Sequence, residues 1–242
     1  VLKLLTWLML FSPVAAFSAM AYLIGKFGIG TLLGMMELLV VMALASCFFI
    51  FVVLGVICYF AKVNVFKFMR FISKEVLVVF ATSSSETALA PLMQKLEAAG
   101  INRGAVGLII PTGYSFNLDC TNIYLSLSVI FLAQAFNIPL SFEHLISILI
   151  VLMITSKGAV GVTGSGFVVL AGTLSALPST GIPVVTVAVL LGVDKFMSEM
   201  RAVGNLCGNA VGCIIVSIWD KKVDMEKFRY ALDHPDEFHF HS

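Results

Sequence analysis

The sequence predicts an all-α membrane protein with several spans, and two observations support this class. Of the 242 residues, 60% are hydrophobic and 12% are charged, and the mean hydropathy is +1.03. Soluble globular proteins carry roughly 25% charged residues. The apolar runs are also too long for the alternating pattern of a transmembrane β-barrel, so the spans are predicted to be helical. The net charge of +1 says nothing about partners, and no basic cluster suggests nucleic-acid binding.

Two continuous apolar runs open the chain. Residues 4–24 predict a first span, and residues 32–60 predict a second, longer one, since about 20 apolar residues cross a bilayer. The chain starts with Val1, already close to a span and without a signal-peptide pattern. We therefore expect a fragment that lacks its beginning.

Residues 75–104 predict a re-entrant hairpin. The polar stretch Thr82–Thr87 lies between two apolar arms that are too short to cross a membrane. Irregular backbone at membrane depth is tolerated only where it is buried in protein or lines a cavity. An exposed helix at the membrane interface is the alternative interpretation.

Residues 105–136 predict a broken span. Pro111, Gly113 and a polar segment beginning at Asn117 interrupt the apolar run. Asp119 lies mid-span, where an ionisable side chain marks a functional site by default. Freed carbonyls together with Asn117 and Asp119 would offer oxygen ligands for a cation.

Residues 144–176 repeat the hairpin pattern around a glycine-rich tip. Four of the nine residues from 158 to 166 are glycine, which lets the backbone approach a ligand closely and bend. We expect Lys157 to cap this tip or reach the interface. The phosphate-binding pattern GxxxxGK[ST] is absent from the sequence.

Residues 182–219 predict a span with one polar face. Five polar residues recur at spacings of four, three, four and four: Asp194, Ser198, Arg201, Asn205 and Asn209. Residues three and four apart share a helix face, and a charged face in a membrane helix must point to protein or a wet cavity. Two interpretations follow, a buried polar zipper between helices or an anion site in which Arg201 holds a carboxylate.

The remaining features set the topology. If both hairpins return to the side they enter from, the Lys and Arg residues gather on the inner side, as the positive-inside rule requires. Lys95 and Arg103 are then expected at the inner surface, and residues 220–242 form a solvated cytoplasmic tail rather than a metal site. The cysteines have no paired metal-ligand spacing and are expected to be buried thiols: Cys47, Cys58, Cys120, Cys207 and Cys213.

Four long motifs in order resemble the C-terminal part of the dicarboxylate/amino acid:cation symporters, in particular the bacterial carriers of four-carbon dicarboxylates. They are Ser83-Ser-Ser-Glu-Thr-Ala-Leu, Pro111-Thr-Gly-Tyr-Ser-Phe-Asn-Leu-Asp, Ser156-Lys-Gly-Ala-Val-Gly-Val-Thr-Gly-Ser-Gly and Asp194-Lys-Phe-Met-Ser-Glu-Met-Arg. The resemblance implies the glutamate-transporter-homologue fold with its first four spans missing, and a homotrimer in the full-length parent. Residues 1–30 would form a scaffold span and residues 31–219 a transport core.

The resemblance also implies site residues. The substrate contacts would be Ser83, Ser84, Ser85, Thr121, Val162, Thr163, Gly166, Ser198, Arg201 and Asn205. The cation or proton-coupling region would comprise Gly113, Asn117, Asp119, Glu199 and Asn209, with Asp119 and Glu199 chosen as proton carriers by their depth alone. No resident metal and no cofactor are expected, only a co-transported proton or Na⁺.

Three positions depart from the family pattern. Ser198 stands where amino-acid carriers have Asp to pair with the substrate ammonium, and Asn209 stands where sodium-coupled members have Asp. Cys120 replaces a glycine beside the cation region, where its side chain is expected to crowd the backbone.

We therefore expect no enzyme but a symporter of succinate, fumarate or malate with protons in a bacterial inner membrane. A sodium-coupled glutamate or aspartate carrier and a non-functional fragment are the alternatives. An intramembrane hydrolase that uses Ser84 with Lys157 as base is a further alternative.

Overall fold

The computed structural model describes residues 14, 17–18, 21–22, 24–25, 28–116, 118–159, 164–177 and 180–238. Most of the predicted first span lies outside this set. The structure is helical throughout the described ranges, apart from turns and one isolated antiparallel bridge between Ile101 and Val223. The predicted all-α class is confirmed for this part of the chain.

Eleven α-helices, numbered here in chain order, make up the described core. They are α1 (Gly30–Phe48), α2 (Leu54–Phe60), α3 (Val65–Phe71), α4 (Ser73–Thr82), α5 (Leu89–Ala98), α6 (Arg103–Phe116), α7 (Asp119–Ala135), α8 (Phe142–Thr155), α9 (Ser165–Ala176), α10 (Asp194–Trp219) and α11 (Met225–Asp233). A π-helical turn joins α1 to α2, and 3₁₀ segments cover Ser85–Ala88, Ser156–Gly158, Val184–Gly192 and Pro235–Phe238.

Three helical stretches among the described residues are long and apolar enough to cross a membrane. They are Leu32–Phe60, Asp194–Trp219 and, with a break at Leu118, Arg103–Ala135. The second predicted span is therefore confirmed as one continuous helical stretch of 29 residues. Together with the composition, these stretches identify a membrane protein.

The first predicted hairpin is a helix–turn–helix formed by α4 and α5. Helix α4 ends where Ser83 adopts the left-handed conformation, with φ of +54°. The chain then passes through the 3₁₀ turn Ser85–Ala88, and Pro91 lies in the first turn of α5, where its missing N–H costs no helical hydrogen bond. The two arms are thus confirmed as helices, and their return to one membrane side stays a prediction.

The break in the third span is narrower than expected. Helix α6 runs through Pro111 and Gly113 without interruption, so the break predicted there is wrong. Pro111 removes a single hydrogen bond, which the packed helix tolerates. Leu118 is non-helical, with φ of −95° and ψ of 88°, and α7 begins directly after it. Asn117 lies outside the described residues.

The second predicted hairpin has its arms in α8 and α9. A capping box starts α8, because the Ser141 hydroxyl accepts from the N–H of His144 while the His144 ring accepts from the N–H of Ser141. The tip contains the 3₁₀ turn Ser156–Gly158. Residues 160–163, which include Val162 and Thr163, lie outside the described ranges.

Helix α10 is the centre of the fold. It packs against α1, α4, α6 and α7. Its second half joins the hydrophobic cluster of α2–α6 and α11, and its first half joins the cluster of α1, α7, α8 and α9. The predicted polar span 182–219 becomes α-helical only from Asp194, after the 3₁₀ segment.

Three placements correct the sequence predictions. Residues 220–242 are not simply a solvated tail, because Phe228 of α11 is fully buried in the cluster that holds α3. Lys95 is not at the surface: it is 1% exposed and its Nζ lies 2.8 Å from Oε2 of Glu75. Cys47 is exposed, unlike the other four cysteines. For Phe228 and Lys95 the deciding contact comes from a residue distant in sequence.

Candidate functional site

The polar face of α10 is buried as predicted. All five of its residues have side chains inside the protein: Asp194, Ser198, Arg201, Asn205 and Asn209. Two of the elements facing them, α7 and the amino end of α9, also contribute polar groups. This face is the candidate site.

Arg201 is the buried cation of the site, with 1% of its surface exposed. Its Nη1 donates to Oγ of Ser165, 3.2 Å away, at the start of α9. The guanidinium also lies over the ring of Tyr124, 5.7 Å from the ring centroid, a distance at which the face of the ring attracts a cation. Arg201 thus meets helix α7 on one side and the second hairpin on the other.

Tyr124 joins the two charged residues of this face. Its hydroxyl donates to Oδ1 of Asp194 over 2.7 Å, while its ring contacts Arg201. Gly166 lies directly against this ring, since a Cβ built on it would be 2.7 Å from Cε1 of Tyr124. Only glycine fits there without displacing the ring.

Ser198 contributes a buried hydroxyl between Asp194 and Arg201 on the same helix face. Its side chain is 0% exposed, and among the described residues its Oγ has no hydrogen-bond partner. The same holds for Ser85 Oγ at the turn of the first hairpin, which packs against α10. A buried hydroxyl without a partner costs free energy, so a polar group that reached either hydroxyl would gain a hydrogen bond.

Asn205 forms a second polar group, one turn further along α10. Its Nδ2 donates to Oγ1 of Thr121 over 3.1 Å, and its Oδ1 accepts from the N–H of Cys120 over 2.8 Å. The amide therefore ties α10 to the first turn of α7, where the break in the span ends. Thr121 and Asn205, both predicted as substrate contacts, are neighbours.

Part of the predicted cation region lies against α10, where Gly113 and Asp119 make contacts, whereas Glu199 pairs with Lys195 and Asn117 lies outside the described residues. Two close approaches define it: a Cβ on Gly113 would clash with the side-chain amide of Asn209, and a Cβ on Gly208 would clash with the carboxylate of Asp119. Asn209 donates from Nδ2 to the carbonyl of Asn205 over 3.0 Å, which leaves its Oδ1 directed at Gly113. The Asn209 amide thus packs between α6 and α10, and the Asp119 carboxylate packs between α7 and α10.

Cys120 does not crowd this region in the way expected. Its Sγ points at Gly204 of α10, where a Cβ would clash with it, and the thiol is fully buried. The space for the cysteine side chain therefore comes from the missing side chain at Gly204. The pairing could not be read from either residue alone.

The serine tip of the first hairpin meets α10 through Lys195. The ammonium lies 2.6 Å from Oγ of Ser83 and 3.4 Å from Oε1 of Glu199. Glu199, predicted as a proton carrier, is thus ion-paired on α10. Ser84 accepts at its carbonyl from the hydroxyl of Thr87 over 2.7 Å, which stiffens the turn.

Sequence reasoning missed three residues of the site, Tyr124, Ser165 and Lys195. Tyr124 follows Thr121 by three positions and so shares its face of α7, a signal that was present. Ser165 directly precedes a predicted contact. Lys195 lies one position from the polar face, and only the folded hairpin brings Ser83 to it.

The alternative of a Ser84–Lys157 hydrolase finds no support in the placement of the lysine. Lys157 is exposed and belongs to the second hairpin, whereas Ser84 lies in the first. The lysine that contacts the serine tip is Lys195, through Ser83. Among the described residues there is no cluster of three His, Cys, Asp or Glu side chains suited to a metal ion.

Comparison with known proteins gives consistent matches. A family model described as the sodium:dicarboxylate symporter family matches residues 1–219. The chain is 50% identical over 221 residues to C4-dicarboxylate transport protein 3 of Bradyrhizobium diazoefficiens, covering 91% of this chain and 49% of that protein. It is 49% identical over 230 residues to the C4-dicarboxylate transport protein of Paracidovorax citrulli, covering 95% of this chain and 51% of that protein. The chain thus spans about half the length of these relatives.

Proposed function

The chain belongs to the sodium:dicarboxylate symporter family, and we propose that it serves in the uptake of four-carbon dicarboxylates with protons across a bacterial inner membrane. Succinate, fumarate and malate are the proposed substrates. The observation that carries the proposal is the buried guanidinium of Arg201 on the polar face of a membrane-spanning helix. Burying a charge there is costly, and an anionic ligand offsets the cost.

Arg201 would hold one carboxylate of the substrate. A guanidinium can bind a carboxylate through two parallel hydrogen bonds. The hydroxyl of Ser198 lies one turn away on the same face and, among the described residues, has no competing partner. The other carboxylate would meet the serine turn of the first hairpin, with Ser85 as a donor.

The residues of the site favour a plain dicarboxylate over an amino acid. Ser198 carries no charge, so it offers no ion-pair partner to a substrate ammonium. The carboxyl group of Asp194, also on this face, accepts a hydrogen bond from the hydroxyl of Tyr124. The relatives named above as C4-dicarboxylate transport proteins support the same substrate class.

Proton coupling is supported by Asn209. Among the described residues, the carboxylate of Asp119 lies against Gly208 of α10, and Asn209 supplies a neutral amide at Gly113. A neutral oxygen binds Na⁺ less strongly than a carboxylate, because it adds no charge to a hard-cation site. Asp119 would be the proton carrier, with Glu199 as the second candidate.

The architecture proposed for transport has three parts. Both helical hairpins would enter and leave the membrane on one side, with their tips meeting near Arg201. The carboxyl terminus would lie in the cytoplasm, on the side with the Lys and Arg residues. The complete protein would be a homotrimer in which the core moves against a scaffold.

Uptake of labelled succinate into proteoliposomes tests the function and its coupling together. We would use the protein as its gene encodes it, with an imposed pH gradient and no sodium. Succinate is expected to accumulate against its own concentration gradient, and aspartate should compete poorly. Accumulation only after sodium is added would overturn proton coupling, and aspartate competing as strongly as succinate would favour an acidic amino-acid carrier. No uptake under either condition would contradict the transport proposal.

A further inference from the structure

Lys195 is a charged contact of the first hairpin to which the proposed function assigns no role. Its Nζ donates to Oγ of Ser83 over 2.6 Å, and it also lies 3.4 Å from Glu199. The lysine side chain is 54% exposed, whereas Ser83 is 0% exposed. A half-exposed lysine side chain therefore ends on a fully buried hydroxyl.

The contact fixes the turn at its least favourable residue. Ser83 has φ of +54°, a left-handed conformation that a residue with a side chain rarely adopts. The backbone N–H of Ser83 reaches the carbonyl of Phe80 only at 3.4 Å. The bond from Lys195 thus holds both the position of this serine and the direction of its hydroxyl.

A hydroxyl that accepts a hydrogen bond from an ammonium still has its own proton to donate. Its donor strength rises because the bonds of such a chain polarise one another, and charge-assisted bonds are the stronger ones. A carboxylate at the serine turn would gain more from this proton than an uncharged amide would. Arg201 and Lys195 would then supply two cations for the two charges of one substrate.

We propose that Lys195 is a positioning residue that sets the preference of the site for a doubly charged substrate, acting through the hydroxyl of Ser83. The inference rests on the proposed dicarboxylate function. The competing interpretation is a solvated pair between Lys195 and Glu199, and such i,i+4 pairs contribute little. A solvated pair would leave ligand preference unchanged.

Succinate and its monoamide, succinamate, form a matched ligand pair, because they have the same length and differ by one charge. The measurement is the KM for succinate uptake beside the inhibition constant of succinamate. In Lys195→Gln we expect the preference for succinate to fall about 3- to 10-fold, the range for a charge-assisted bond weakened by partial exposure. Lys195→Arg should retain the preference, since it keeps the charge and the donor.

Ser83→Ala provides a second variant that breaks the same contact from the other side and should show the same fall. The matched control is Lys74→Gln, which removes an exposed lysine from helix α4 of the same hairpin. If Lys195→Gln or Ser83→Ala takes up succinate with an unchanged ratio of the KM for succinate to the inhibition constant of succinamate, this inference alone is overturned. No succinate uptake by the unsubstituted protein would overturn the proposed function and this inference with it.

Discussion

The two helical hairpins are built alike and held differently. In the first, charge fixes both ends: Lys95 pairs with Glu75 between the arms, and Lys195 reaches the tip. In the described part of the second, the arms share a bond between two neutral hydroxyls, Thr155 and Thr173, 2.8 Å apart. The comparison teaches that a buried ion pair joins the arms of the first hairpin, whereas a bond between neutral hydroxyls joins the arms of the second.

The two hairpins also attach to α10 through different residues. The buried pair lies between the two arms of the first hairpin, and Lys195 attaches its serine tip to α10. The second hairpin meets the same helix through Ser165, which accepts from Arg201. A substrate carboxylate that binds Arg201 would compete with this bond, so ligand binding and the position of the second hairpin should be linked.

The largest effect on stability is expected from breaking the buried pair. Lys95→Ala leaves the Glu75 carboxylate buried without its cation, which costs about 3–5 kcal/mol when one partner is removed. The midpoint of thermal unfolding in detergent should fall accordingly. Lys67→Ala is the control, because it breaks an exposed pair with Asp233, and exposed ion pairs contribute little to stability. An equal fall of the unfolding midpoint in Lys95→Ala and Lys67→Ala would contradict the special role of the buried pair.

A smaller effect is expected at the glycine of the second hairpin. A Cβ at Gly166 would be 2.7 Å from Cε1 of Tyr124, whereas a Cβ at Gly172 of the same helix meets nothing within 4 Å. Gly166→Ala should therefore destabilise by about 1–3 kcal/mol, as overpacking does, and reduce succinate uptake. Gly172→Ala should be neutral or stabilise by up to about 1 kcal/mol. Similar losses in the two variants would show that the Tyr124 contact is not what requires glycine.

The hydroxyl pair between the arms of the second hairpin should contribute still less to stability. Thr155→Val keeps the shape of the side chain and removes one hydroxyl, while Thr173 retains its bond to the carbonyl of Val169. The expected cost is about 0.5–1.5 kcal/mol, measured by thermal unfolding. Ser175→Ala, which removes an exposed hydroxyl from the same helix, is the control. A loss as large as that of Lys95→Ala would mean that both hairpins are secured equally.

The smallest effect concerns the exposed pair that served as control. The hydrogen bond from Lys67 holds the pKa of Asp233 below its usual range. Because the folded-state pKa is depressed, the contribution of this carboxylate is complete above its ordinary pKa of about 3.9 and disappears as the pH falls through the lower folded value. In Lys67→Ala the pKa should move up towards the ordinary value, as followed by carboxyl NMR titration. An unmoved pKa would mean that Lys67 is not its cause.

The sequence predicted the polar face of α10 because helical spacing alone places those five residues together. It also predicted the arms of both hairpins, since each apolar arm ends at a polar tip. The partner of Lys95 could not be predicted, because Glu75 lies twenty positions away and meets it only when the hairpin closes. The burial of Phe228 was missed for a similar reason: a short amphipathic helix in a charged tail resembles a solvated segment until α3 is packed against it.

Calorimetric titration of the purified protein with succinate tests the central claim most directly. Arg201→Ala removes the buried guanidinium, and Arg103→Ala removes a guanidinium whose side chain is 91% exposed. The expected result is that the unsubstituted protein and Arg103→Ala bind succinate with the same Kd, while Arg201→Ala, still folded by circular dichroism, shows no binding. Succinate binding by Arg201→Ala with an unchanged Kd would contradict the claim that Arg201 holds the substrate.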